Sequence, residues 1–180
     1  MLITWSQDTY LRTYRFAAQA HHGQMVPGTQ LSYIMHLSFV SMEVIAALAA
    51  DPGRDGDLAV QCALLHDVVE DTQVSYEQVK AEFGEKVALG VLALTKDSAL
   101  DKSLQMPDSL QRIRQQPYEI WMVKLADRIS NLAPPPYYWT KDKIARYREE
   151  ALEIHAALHP ASELLARRLL EKIEAYRSYL

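Results

Sequence analysis

Apolar residues recur along most of the chain every three to four positions, with few β-branched runs and hardly any strict alternation. That pattern predicts helices throughout and an all-α fold. Ser6 or Asp8 can cap a first helix carrying Tyr10, Tyr14, Ala17, Ala18 and His21 on one stripe, with Gly23 as its exit. A loop through Pro27 and Gly28 leads to a second helix, from about Ile34 to Ala50, ended by the turn-forming DPGRDGD at 51–57. Residues 58–67 read as a third, buried helix. Ser75 with Gln78 makes a capping box that opens a short helix, Gly84 divides it from the next, and VALGVLALT at 87–95 is apolar enough to be central. Residues 97–108 are expected to form a surface loop. Two helices flank Pro117, the second being EIWMVKLADRISNL, which the triple proline at 134–136 stops. Amphipathic helices over about 142–157 and 161–178, divided by His159 and Pro160, close the chain. The last is expected to dock on the domain rather than join a partner helix.

Composition narrows the classes. A chain of 180 residues can bury one real core, so residues 1–180 are read as a single domain. Lysine and arginine total 19 against 23 acidic residues, and the net charge of −4 gives no global reason to expect nucleic acid or an anionic membrane as partner. Any anionic ligand must meet local positive charge. No window reaches about 18 uninterrupted apolar residues, and MLITWSQDTYLRTYRF lacks a basic segment followed by a long apolar one, so neither membrane spanning nor secretion is expected. Cys62, the single cysteine, can form no internal disulfide and reads as a small core residue in a reducing, cytoplasmic setting.

The stretch LLHDVVEDT at 64–72 sets His66, Asp67, Glu70 and Asp71 directly against an apolar run. Burying such groups unpaired is costly. His66 and Asp67 fall at the C-terminal end of the third helix, with Glu70 and Asp71 a turn later. An imidazole beside a carboxylate is the start of a site for manganese, iron or zinc. Two further polar residues stand in core-like runs on other helices: His36 in YIMHLSFV and Asp127 in VKLADRISNL. Each also has a plain alternative, His36 as a hydrogen-bonded core histidine and Asp127 as a partner of Lys124 or Arg128. His21, His22, His155 and His159 read as surface or partly buried residues. For the aromatic PPPYYWT at 134–140, core packing of Tyr137, Tyr138 and Trp139 is the default; an active-site wall, a lid or a dimer contact, and with it a homo-oligomer, stay open.

The order His36, His66-Asp67, Asp127 resembles the metal-binding pattern of the HD superfamily of phosphohydrolases, a helical bundle around a central metal site. AAQAHHGQ at 17–24 with SYIMHLSFV at 32–40, ALLHDVVEDT at 63–72, FGEKVALGVLALTK at 83–96 and VKLADRISNL at 123–132 look like the hydrolase domain of RelA/SpoT proteins and of the small alarmone hydrolases. The similarity runs from about residue 10 to 160. At this length it implies a hydrolase without a synthetase domain, using one Mn2+ ion to remove the 3′-pyrophosphate of (p)ppGpp or (p)ppApp. By the same resemblance His36, His66, Asp67 and Asp127 are the metal ligands, and Glu70 and Asp71 activate and orient the attacking water. Asn131 matches a substrate-contacting asparagine. Tyr33 and Arg128 fall in matching segments, Arg128 being open between substrate contact and structural ion pair, and Arg112 and Lys143 are the cations expected to meet phosphate. Where guanosine-specific members carry an Arg-Lys pair after the glutamine, this chain reads GQMVPGTQLSY, with Met25 and Val26. Methionine supplies only the apolar part of what a guanidinium does, which leaves guanine against adenine open. The alternatives are an HD-type nucleotide phosphatase or phosphodiesterase of other specificity and a non-catalytic nucleotide-binding HD protein.

Overall fold

The computed structural model describes residues 4–180; the first three residues of the N-terminal stretch read above for a leader lie outside the described residues. Helix α1 spans Gln7–Ala20, and of its two candidate caps Ser6 serves, its hydroxyl accepting from the Thr9 amide. The Ser6 amide in turn donates to Asp57 at 2.6 Å. Helix α2 covers Ile34–Ala50 and α3 Gly56–Leu65, where Asp55 accepts from the Leu58 amide at 3.1 Å. Every residue of α3 except Asp57 in its first turn is buried, so beyond that turn it faces the core on all sides, as a helix inside a bundle must.

The expected helix over 58–67 ends earlier, at Leu65, and a separate turn of helix, α4, covers Val68–Asp71. The break at His66-Asp67 keeps both side chains at the end of α3. The Ser75–Gln78 capping box is present and opens α5, Tyr76–Phe83. Gly84, at φ 86°, makes the sharp joint to α6, Glu85–Leu94, a left-handed conformation that favours glycine.

The surface loop expected over 97–108 is corrected: α7 starts at Lys102 and runs to Ile113. Met106, Ser109 and Ile113 are buried on one stripe. Pro107 falls within that helix, and its breaker reputation hides the stripe. Helix α8, Tyr118–Asn131, is buried from Glu119 to Ile129 except at the half-buried Trp121. Helix α9 spans Lys141–Leu158, a short 3-10 turn holds His159–Ala161, and α10 spans Glu163–Ala175 before a second 3-10 turn over Tyr176–Tyr179. The last helix therefore stops sooner than 178 and docks, packing on α8 and α9. Arg168 fastens it to the buried Glu43 of α2 through both carboxylate oxygens, at 2.8 and 2.6 Å.

The core is built from α2, α3 and α8, which pack on one another, with α1 on α3 and with α5 and α6 paired at the side. The start of α2, the end of α3 and the end of α8 bring His36, His66-Asp67 and Asp127 together. Among the described residues no strand forms; Met25 and Ser32 make a single antiparallel bridge that ties the loop between α1 and α2. Among those residues, too, no helix is long and apolar enough to cross a membrane.

Candidate metal and active site

Four donor atoms converge where those helix ends meet. Nε2 of His36 lies 3.2 Å from Nε2 of His66. Oδ2 of Asp67 is 2.9 Å from the His66 nitrogen and 3.7 Å from that of His36. Oδ1 of Asp127 completes the set at 3.5 Å from His36 and 3.7 Å from His66. His36, His66 and Asp67 offer ligand atoms that all lie within 4.8 Å of one another. The remaining ring nitrogens are held from outside: His66 Nδ1 donates to the Ala63 carbonyl at 2.9 Å, and His36 Nδ1 meets Ser130 Oγ at 3.1 Å. An imidazole whose Nδ1–H is given to a carbonyl turns its Nε2 lone pair into the cluster, as metal-ligating histidines do. Two such nitrogens so close together need something positive between them. Two imidazoles with two carboxylates suit a divalent transition ion, so the donor set fits.

The electrostatics agree. Burial opposes charge on His66, yet Asp67 and Asp127 outweigh it and hold the imidazole pKa well above its ordinary value. Burial likewise disfavours ionised Asp67 and Asp127, but His66 acting on the first and Lys124 acting on the second keep both carboxyls below the usual range. Lys124 is itself buried, its ammonium 3.0 Å from Asp127 Oδ2, so the pairing weighed from sequence exists beside the metal geometry rather than instead of it. Asn131 donates to Asp127 Oδ1 at 2.6 Å. The Tyr33 hydroxyl donates to Asp67 Oδ2 at 2.5 Å; burial and the adjacent Asp67 push its pKa up, so it stays a phenol and a donor.

Glu70 and Asp71 stand on α4, just beyond the cluster. Glu70 accepts from the Lys96 amide at 2.8 Å. Asp71 accepts from Gln24 Nε2 at 3.5 Å, and its pKa is raised by burial and by Asp67 and Glu70 nearby.

The expected phosphate-binding cations fall differently. Arg112 gives its guanidinium to the carbonyls of Leu92, Ala93 and Thr95 and to Asp108, so it closes the C-terminal end of α6 and supports the turn on which Glu70 rests. Arg128 is buried over the Tyr147 ring, 4.0 Å from its centroid, and bonds the Tyr147 carbonyl and Glu150. Of its two readings the geometry favours the structural one. Lys143 lies over Trp139, 4.2 Å from the ring centroid.

Core packing of the aromatic segment is corrected as well. Tyr137 is 90% exposed and Tyr138 56%, and only Trp139 packs inward, against Tyr147. Pro136 seats against Gly28, where a Cβ would come within 2.9 Å of it, so the loops on either side of the site touch.

Sequence reasoning left His21 at the surface or partly buried, but it is 2% exposed and stacks on Tyr33. The signal was its place on the stripe four residues after the buried Ala17.

Residues 13–164 match the HD domain family. A Danio rerio protein named guanosine-3′,5′-bis(diphosphate) 3′-pyrophosphohydrolase MESH1 is 30% identical over 170 residues, covering 91% of this chain and 92% of its own. An Aquifex aeolicus guanosine-3′,5′-bis(diphosphate) 3′-pyrophosphohydrolase is 30% identical over 150 residues, which are 82% of this chain and 20% of that longer protein. Among solved structures, one described as a metazoan ortholog of SpoT that hydrolyzes ppGpp superposes with a TM-score of 0.81 at 26% identity, covering 95% of this chain and 97% of its own.

Proposed function

This chain belongs to the HD domain family, in the group of the MESH1 pyrophosphohydrolases, and from that premise we propose that residues 1–180 act as one hydrolase domain that removes the 3′-pyrophosphate of an alarmone nucleotide with the help of one Mn2+ ion. The observation that carries this reading is the convergence of His36, His66, Asp67 and Asp127 with a pair of carboxylates on the adjoining turn. When bound, the divalent ion supplies Lewis-acid activation of water and neutralises charge on phosphoryl oxygens. Asp71 and Glu70 accept and steer the proton of the attacking water, a task for carboxylates within hydrogen-bond reach of it. Burial and the neighbouring carboxylates raise the pKa of Asp71, which suits it to accept that proton. Asn131 holds Asp127 and faces substrate from the same helical turn, Lys143 beside Trp139 meets a phosphate, and Arg112 and Arg128 act through the turns they brace. The buried free thiol of Cys62 is in keeping with a reducing, cytoplasmic setting.

A second reading concerns the base. Met25 is 46% exposed at the bridge it forms with Ser32, and residues 23–32 contain no lysine or arginine. An apolar contact of this kind accepts a purine face without selecting guanine, so the adenosine alarmone is proposed as an equal substrate. The test is incubation of metal-stripped protein with added Mn2+ and, separately, ppGpp and ppApp, resolving nucleotides and pyrophosphate by chromatography, with Asp67→Ala and Glu70→Ala as controls. Pyrophosphate release that needs Mn2+ and both side chains is the expected result. Orthophosphate release instead supports a phosphatase of other specificity, and binding without turnover supports a nucleotide-binding protein. A strong preference for ppGpp refutes the second reading.

A further inference from the structure

His21 at the C-terminal cap of α1 has its Nε2 buried without a hydrogen-bond partner, while its other edge and its face are fully used. The ring lies nearly parallel on Tyr33, with centroids 5.0 Å apart at 27°, and its Nδ1 is 2.6 Å from Oε1 of Gln24. Each of these neighbours reaches one carboxylate of the site. The Tyr33 hydroxyl donates to Asp67, and Gln24 Nε2 donates to Asp71.

The directions of these bonds fix the hydrogens. An ionised carboxylate only accepts, so the amide nitrogen of Gln24 must face Asp71 and its oxygen must face His21. Oε1 then accepts, and Nδ1 of His21 must carry a hydrogen. A hydrogen on Nε2 would be a buried donor with no acceptor, which favours the same tautomer.

We propose that His21 is a positioning residue for the reaction: one buried imidazole orients the amide that fixes Asp71 and seats the phenol that fixes Asp67. The inference rests on the reading of Asp71 as a water-activating carboxylate. Local backbone bonds lace the three residues together, the Gln24 amide donating to the His21 carbonyl at 3.0 Å and the Tyr33 amide to the Gln24 carbonyl at 2.9 Å. Gly23, at φ 80°, allows the reversal that brings Gln24 back over His21. A cavity of about 400 Å³ bordered by His21, Gln24, Asp71 and Thr72 lies beside the Gln24 side chain. Packing does not lock the amide there, so its bond to His21 sets its orientation. A carboxylate free to turn about its last torsion presents its proton-accepting oxygen only part of the time, and a displacement of about 1 Å at such a group costs on the order of a hundredfold in rate.

The test joins a spectroscopic and a kinetic measurement on the full chain. The 15N shifts of the His21 ring report the tautomer, Nδ1–H being expected and Nε2–H overturning the proposal. His21→Phe keeps a ring on Tyr33 but removes the donor, and Gln24→Ala cuts the same arm at a half-exposed position the fold tolerates. Each is expected to lower kcat about tenfold or more with KM and Mn2+ affinity within about twofold, and the double variant to be no slower than the slower single one. Unchanged kcat in Gln24→Ala, a loss confined to KM, or losses that multiply in the double variant would overturn it. Absence of turnover by the wild type is a failure of the functional reading instead, and the tautomer and its sensitivity to Gln24→Ala then decide this one.

Discussion

Lys124→Met removes a charge from the core while leaving most of its volume, and its consequence can be worked from the geometry of Asp127. The Lys124 side chain is 9% exposed and that of Asp127 10%, with Nζ and Oδ2 3.0 Å apart. In the variant Oδ2 loses its donor, while Oδ1 keeps Asn131 at 2.6 Å and the two histidines. Breaking a buried pair from one side costs about 3–5 kcal/mol, because the other charge stays behind; the surviving partners of Asp127 place this case near the lower end, about 3 kcal/mol. For a domain of this size about 1 kcal/mol moves Tm by roughly 2–4 °C, so a drop of about 6–12 °C follows. A divalent cation held by His36, His66, Asp67 and Asp127 returns positive charge beside the same carboxylate, and ligand that binds only the folded state raises Tm. The deficit should therefore shrink in saturating Mn2+. Calorimetry of metal-stripped and Mn2+-saturated wild type and variant measures both quantities. A drop under about 2 °C without metal, or a deficit that Mn2+ leaves unchanged, would refute the account of Lys124 as the counter-charge of Asp127.

Tyr33→Phe deletes only the hydroxyl that donates to Asp67; Mn2+ affinity by titration calorimetry is expected to fall about 10- to 100-fold with the fold intact, the usual cost of losing such a supporting bond. Gly90→Ala places a methyl 2.6 Å from Ile120 Cδ1 and 2.9 Å from Cys62 Sγ; the gain of about 1 kcal/mol in helix propensity is outweighed by about 1–3 kcal/mol of overpacking, and urea unfolding should show a net loss that Ile120→Val, lacking the offending carbon, partly restores. Asp55→Ala tests pH dependence. Although partial burial acts the other way, the Lys86 ammonium and the Leu58 amide lower the Asp55 pKa in the folded state. The contribution is therefore present above the unfolded value near ~3.9 and lost as pH falls through the lower folded value. The variant should be less stable by about 1 kcal/mol at pH 7, with the gap closing only below about pH 4; a gap that is constant from neutral to acid pH would contradict this.

Much of the helical framework was legible because the signals were local. Ser6, Ser75 with Gln78, and Gly84 act as caps and joints where their chemistry says they should, and the polar residues set into apolar runs, His36 and Asp127, are the ones that meet His66 and Asp67. What was not legible depended on partners distant in sequence. The helix over Lys102–Ile113 was hidden because its buried stripe of Met106, Ser109 and Ile113 is thin and contains a proline one residue away. Arg112 looked like a free cation until the open carbonyls at the end of α6 supplied its partners. Tyr137 and Tyr138 looked like core residues by size, whereas the prolines before them carry the chain around the outside of the site and leave both rings exposed. His21 shows both limits at once: its position on the stripe announced burial, but its role depends on Gln24 and Tyr33, which only the turn at Gly23 brings to it.

The cluster also explains why the charged residues could be placed inside the bundle at all. Asp67 and Asp127 would each cost several kcal/mol to bury alone, in the range of about 3–5 kcal/mol when a partner is missing. Each is instead given fixed donors from its own surroundings: Tyr33 for Asp67, and Lys124 with Asn131 for Asp127. Tyr33 bonds the same Oδ2 of Asp67, and Asn131 the same Oδ1 of Asp127, that face the two imidazole nitrogens, while Lys124 takes the far oxygen of Asp127. The histidines are held on their far side, with Nδ1 occupied by Ala63 and Ser130 and Nε2 turned inward. The outward contacts of the two imidazoles thus leave their inward nitrogens to the cluster, and the donors on the carboxylates fix the oxygens that face them. A proton and a divalent cation compete for what remains, so metal affinity must weaken as pH falls. The polar framework around the four residues therefore does more than make their burial tolerable, because it is the source of the cluster's affinity for positive charge.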